Sequence, residues 1–140
     1  MTSLKILVVE DMVNTVSGAF ELAALYLFNE PITFDIVKRS QDIDFEHINE
    51  YSLVFVDIEL AKDSAEDGFA VIRRLINSYG YPLVHILILT GNTVIEEKLV
   101  ENNISKQIAI VKKPVAYEDI ANVLKQYIRL NADGTYIMLK

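Results

Sequence analysis

Apolar runs of strand length alternate with stretches of helical periodicity along the whole chain, and that alternation limits the fold more than any other feature. Residues 4–9 are continuously apolar apart from Lys5, the pattern of a strand covered on both faces. Val16, Ala19, Phe20, Ala23 and Leu27 recur three or four positions apart and lay one stripe along a helix that Pro31 ends. Ile32, Phe34 and Ile36 alternate with Thr33 and Asp35, the period of a half-exposed strand at a sheet edge. Ser40 can cap a short helix containing Ile43, Phe45 and Ile48, and residues 53–56 read as a buried third strand ending at Asp57. Beyond an acidic loop from Glu59 to Asp67, Phe69, Ile72 and Ile76 stripe a third helix that stops near Gly80 and Pro82. Residues 83–89 predict a fourth strand, 94–101 a weaker helix, and 108–111 a fifth strand. In the last helix, Ile120, Val123, Leu124, Tyr127 and Ile128 keep the spacing of an amphipathic face.

Five strands alternating with five helices imply right-handed parallel crossovers, so the expected fold is α/β, a doubly wound five-stranded parallel sheet. After an Asp133-Gly134 turn signal, residues 135–139 can form one short extra C-terminal strand. A chain of 140 residues fits one domain, 1–130, with a C-terminal extension at 131–140. Half of the residues, 51%, are hydrophobic, enough for a sizeable core. Thirteen basic against 20 acidic residues give a net charge of -7, which repels phosphate backbones and anionic lipid and argues against nucleic-acid or membrane binding. The absence of cysteine excludes disulfides, thiol catalysis and thiolate zinc sites. Glu10 and Asp11 cut the first apolar run far short of a signal-peptide core, and a cytoplasmic location is expected.

Ligands of open parallel sheets bind beyond the carboxyl ends of the strands. Here those ends carry Glu10-Asp11, Asp57, Thr90-Gly91 and Lys112-Lys113-Pro114. Each has an ordinary reading taken alone: a capped loop, a strand terminator, a turn, a solvated lysine. Three carboxylates, a hydroxyl and an ammonium at the same ends of four strands make a stronger joint pattern. Carboxylates so placed repel one another unless a cation compensates them, and Mg²⁺ suits an oxygen donor set of one or two carboxylates plus a phosphate oxygen. Thr90 and Lys113 remain as donors to a phosphoryl group.

These residues, with the Asp67-Gly68 pair that opens the third helix, resemble the receiver domain of bacterial two-component response regulators, CheY-like in type, over roughly residues 4–130. The resemblance implies a flavodoxin-like sheet of order 2-1-3-4-5 and a cis bond between Lys113 and Pro114. It implies Asp57 as phosphoacceptor, with Lys113 and Thr90 binding the phosphoryl oxygens. Mg²⁺ would be held by Glu10, Asp11, Asp57 and the Glu59 carbonyl, and the side chains of Glu59 and Asn92 would tune hydrolysis of the acyl phosphate. The implied partners are a histidine kinase or histidine phosphotransfer protein and a downstream protein. Partner contact or self-association is expected through the fourth helix, fifth strand and fifth helix, near Lys98, Gln107 and Lys125. A stand-alone receiver of this kind is a phosphoacceptor that assists its own phosphorylation and dephosphorylation, not an enzyme in the usual sense.

Three departures stand out. The loop from Ile58 to Gly68 is a few residues longer than the family's usual loop and lacks its proline. Ile110 takes the place of the usual switch aromatic, and Ala116 that of a common helix cap. Ile110 and the atypical loop support an alternative, a pseudo-receiver interaction module that is not regulated by phosphorylation. A haloacid dehalogenase-type phosphatase would need Asp-x-Asp on the first strand, and a flavin domain would not place carboxylates against the flavin phosphate. His85, inside an apolar run, is expected in the core. Ser64 has no triad context, and the tyrosines 26, 51, 79, 81 and 127 read as packing or rim residues.

Overall fold

A computed structural model of the chain describes residues 4–11, 18–23, 32–133 and 135–140. Among them, five parallel strands form one sheet: β1 (Lys5–Val9), β2 (Thr33–Val37), β3 (Leu53–Asp57), β4 (Ile86–Thr90) and β5 (Ala109–Lys112). Their order, β2-β1-β3-β4-β5, is the expected doubly wound arrangement. Residues 18–23 are helical (α1), followed by α2 (Gly68–Tyr79), α3 (Ile95–Glu101) and α4 (Tyr117–Tyr127). Val16, Tyr26, Leu27, Pro31 and Gly134 lie outside the described residues.

The two-residue strand period divides the core between the two faces of the sheet. Leu7, Val9, Val54, Val56, Ile86 and Ile88 face one layer, where Phe69, Ile72 and Leu75 of α2 and Ile95 and Leu99 of α3 cover them. Ile6, Val8, Leu53, Phe55, Leu87 and Leu89 face the other, against Phe20, Ala23, Ile120, Leu124 and Tyr127. There the Phe20 ring meets Phe55 edge-on, with centroids 4.9 Å apart. Both faces are sealed, so the carboxyl edge of the sheet is left to bear a site. The register aligns that edge: Val9 pairs with Val37 and Val56, Asp57 with Leu89, and Thr90 with Lys112.

Local chemistry sets the helix limits. The Asp67 carboxylate accepts the Ala70 N–H at 2.8 Å, capping α2, and Gly80, in the left-handed region at φ 65°, ends it. Ala116 begins α4 with no side-chain acceptor to offer, and only Asp119 reaches back to accept the Ala116 N–H, at 3.1 Å. Ala116→Ser should supply the missing half of this capping box and raise stability by about 0.5–1 kcal/mol in urea denaturation.

Three sequence expectations need correction. The short second helix is instead irregular, with 3₁₀ turns over Ser40–Asp42 and over Phe45–Glu50, the latter kinked at a non-helical His47, and the two stretches are joined through an extended Ile43. Ile43 and Phe45 are both buried, and an α-helix would point residues two apart to different sides. The fourth strand starts at Ile86, after a 3₁₀ turn over Leu83–His85, so His85 is half-exposed and not in the core. Its Nε2 lies 2.6 Å from the Lys140 carbonyl oxygen. The last helix stops at Tyr127, and Ile128 opens a strand, β6 (Ile128–Leu130), antiparallel to the expected extra strand, β7 (Tyr136–Met138). A strand residue fills the same core position that the helical spacing assigned to Ile128, and the Leu139 N–H closes on the Tyr127 carbonyl at 2.7 Å. Tyr51, Tyr79, Tyr81 and Tyr127 are packing or rim residues; the Tyr79 ring stacks on Phe45 at 5.2 Å. No helix among the described residues is long and apolar enough to cross a membrane.

Candidate functional site

Because β1 and β3 are neighbours with aligned ends, Glu10, Asp11 and Asp57 emerge together. One carboxylate oxygen from each lies within 4.8 Å of the others. Glu10 is fully buried, its N–H bonded to the Val37 carbonyl at 2.9 Å, while Asp11 is half-exposed. Asp57 is 2% exposed and its Oδ1 accepts the Glu59 N–H at 2.9 Å. From the end of β5, Lys113 reaches across, its Nζ 2.5 Å from Glu10 Oε2 and 3.1 Å from Asp57 Oδ2. The Lys113-Pro114 bond is cis.

Three acids against one ammonium leave an excess of negative charge where water is scarce. Burial pushes the Asp57 carboxyl up to about 7, helped by the hydrogen bond and charge of Glu10, against the pull of the Glu59 N–H and Lys113. Burial alone would lower the Lys113 ammonium, but its hydrogen bonds and charge attraction to Glu10 and Asp57 outweigh this and hold it above the ordinary lysine value. The three acids of this cluster offer oxygen donors, and burial beside Glu10 makes one of them resist ionisation. That is the environment a hard divalent cation fits.

Thr90 is brought to the same edge but turned to the following loop, its hydroxyl accepting the Asn92 N–H at 3.0 Å rather than touching the acids. The Glu59 side chain is exposed. Sequence reasoning gave no special place to Gly68 beyond its motif pairing, yet a Cβ there would collide with the Asp57 carbonyl oxygen and lie 2.6 Å from Ile58 Cα. It read Ser40 as a helix cap and Ser64 as lacking a triad, passed over Gln41, and so missed that the three join two loops beside the acids. The one available signal was the surplus of residues after Asp57, which must be held somewhere.

Neither a protein-family model nor a curated protein matches the sequence. Solved structures do match. The chemotaxis protein CheY4 of Vibrio cholerae is 16% identical with a TM-score of 0.65, over 89% of this chain and 98% of that one. A CheY-like response regulator receiver domain protein from Methanospirillum hungatei is 19% identical, TM-score 0.62, over 89% and 92%. The receiver domain of NtrX from Brucella abortus is 22% identical, TM-score 0.62, over 86% and 95%, and against a longer NtrX chain the match spans 26% of that chain. The fold is therefore that of CheY-like receiver domains.

Proposed function

We propose that this chain, having the receiver fold, accepts a phosphoryl group on Asp57 from a histidine kinase or phosphotransfer protein and signals by protein contact. The chief support is the convergence of Glu10, Asp11 and Asp57 within 4.8 Å, with Lys113 bonded to two of them. In this reading an Asp57 oxygen attacks the phosphorus in line, the P–N bond of the donor phosphohistidine breaks, and its imidazole leaves with the bonding pair. Lys113, already 3.1 Å from Asp57, neutralises a phosphoryl oxygen, and Thr90 turns from Asn92 to bond another. Glu10, Asp11, Asp57 and the Glu59 carbonyl would hold Mg²⁺, which supplies charge neutralisation to the transferring group. Water later attacks the acyl phosphate, with the Glu59 and Asn92 side chains flanking its path.

The output step departs from the family pattern, because Ile110 has no ring to turn inward. Its half-buried side chain lines a cavity of about 320 Å³ between α3 and β5, with Val94 and Ile95. Partner contact or self-association is assigned to this α3-β5-α4 face, where Gln107 and Lys125 are exposed.

Exposure to acetyl phosphate with Mg²⁺ should add one labile phosphoryl group, mapped to Asp57 by mass spectrometry. Beryllofluoride with Mg²⁺ should shift NMR resonances around Thr90. A protein that takes up no phosphoryl group and shows no metal-dependent change is a pseudo-receiver, and the proposal then fails.

A further inference from the structure

The long loop after Asp57 is fastened to the turn after β2 by a reciprocal set of hydrogen bonds. The Ser40 N–H donates to Ser64 Oγ at 2.9 Å, the Ser64 hydroxyl to the Glu66 carbonyl at 2.7 Å, and the Glu66 N–H to Ser40 Oγ at 2.8 Å. Beside this ring, Gln41 Nε2 donates to the Asp63 carbonyl and its Oε1 accepts the Ala65 N–H, both at 2.8 Å. Ser40 is buried, 1% exposed, so the ring it shares with Ser64 and Glu66 is partly shielded from water, while the two Gln41 bonds lie at its exposed rim.

Sheet order gives the fastening its meaning. β1 lies between β2 and β3, so a bridge from the loop after β2 to the loop after β3 must pass over the carboxyl end of β1, where Glu10 and Asp11 emerge. Beside it is a cavity of about 510 Å³, lined by Asp11 and by Lys38, Arg39, Ala61 and Asp63 of the two bridged loops. Backbone groups at the start of both bridged segments also hold Glu10 and Asp57. The Val37 carbonyl accepts the Glu10 N–H, and Glu59, whose N–H bonds Asp57, precedes the fastened segment.

Resting on the function proposed above, we infer that Ser40, Gln41 and Ser64 form a strap whose role is to position Asp11 and the Glu59 backbone for the divalent cation. They are positioning residues, remote from the reacting atoms. Without the strap, residues 60–66 gain conformational freedom that cation binding must then remove. Having to order even one released residue on binding corresponds to roughly a tenfold loss of affinity.

Isothermal titration of the full chain with Mg²⁺ tests this. Gln41 is exposed, so Gln41→Ala should fold, and it should weaken Mg²⁺ binding about tenfold, as should Ser40→Ala. Met138→Ala, which lowers stability from β7 without touching the strap, should bind like wild type. Wild-type affinity in Gln41→Ala overturns the inference alone, and so does an equal loss in Met138→Ala, since affinity would then merely follow stability. A wild-type protein that binds no Mg²⁺ overturns the proposed function, and the strap's role with it.

Discussion

Asp57→Asn should abolish phosphoryl acceptance and, in metal-free buffer at pH 8, raise the melting temperature by roughly 5–10 °C. The first effect follows from losing the nucleophile, since an amide oxygen does not form an acyl phosphate under these conditions. The second follows from where the Asp57 proton is bound. In the folded protein, burial and Glu10 hold the carboxyl at about 7, against an ordinary value of 3.8. Between those two values the native state keeps a proton that the unfolded chain has released, so stability falls as pH rises through that window and stays low above it. The full cost at pH 8 is on the order of 2–4 kcal/mol. Asparagine has the shape of the protonated carboxyl and never ionises, so it escapes this cost and leaves Glu10 paired with Lys113. The advantage of the variant should therefore grow by about 2–3 kcal/mol from pH 5 to pH 8. Saturating Mg²⁺ should stabilise wild type more than the variant. Melting curves at the two pH values decide the matter: a difference that does not change with pH would mean that Asp57 is not the strained acid of the cluster.

Much of this site is legible in sequence because a parallel sheet converts a one-dimensional pattern into a place. A buried strand must be apolar on both faces, so the first polar residues after each run mark its carboxyl end, and β1, β3, β4 and β5 deliver Glu10-Asp11, Asp57, Thr90 and Lys112-Lys113 to one edge. The same rule fails at the other end of a strand. The apolar run from Leu83 begins three residues before β4, because a 3₁₀ turn can carry apolar residues without burying them, and Val84 is 46% exposed. Between Ser40 and Glu50 no single period fits, since Ile43, Phe45 and Ile48 reach the core from two separate turns. The strap is less legible still. Ser40 and Ser64 are 24 positions apart in irregular segments, and hydrogen bonds between loops leave no periodic trace. Thr90 shows a further limit: its position on the edge follows from the pattern, but the rotation of its hydroxyl toward Asn92 depends on the short loop that follows, which has no periodicity to read.

Gly68→Ala should be the most damaging of the small substitutions outside the ligands, lowering stability by about 3 kcal/mol and Mg²⁺ affinity along with it. Two effects oppose each other at this position. Alanine is the better helix former by about 1 kcal/mol, and Gly68, the first residue of α2, lacks the positive φ that would forbid a side chain. Against that, the new Cβ would overlap the Asp57 carbonyl oxygen and approach Ile58 Cα to 2.6 Å. Both obstacles are backbone, in β3 and just beyond it, and cannot rotate aside as a side chain would. The Gly68 N–H also bonds the Ile58 carbonyl at 3.3 Å, so α2 cannot retreat without breaking its tie to the strand. The clash therefore outweighs the propensity gain. Relief must come from moving the Asp57 peptide or the one before Glu59, which couples the stability loss to the site. Gly68→Ala and Gly68→Ser should both melt roughly 10 °C below wild type and bind Mg²⁺ more weakly. A wild-type melting temperature in Gly68→Ala would mean that α2 does not start against the backbone of Asp57, and the close packing that orients this carboxylate would have to be abandoned.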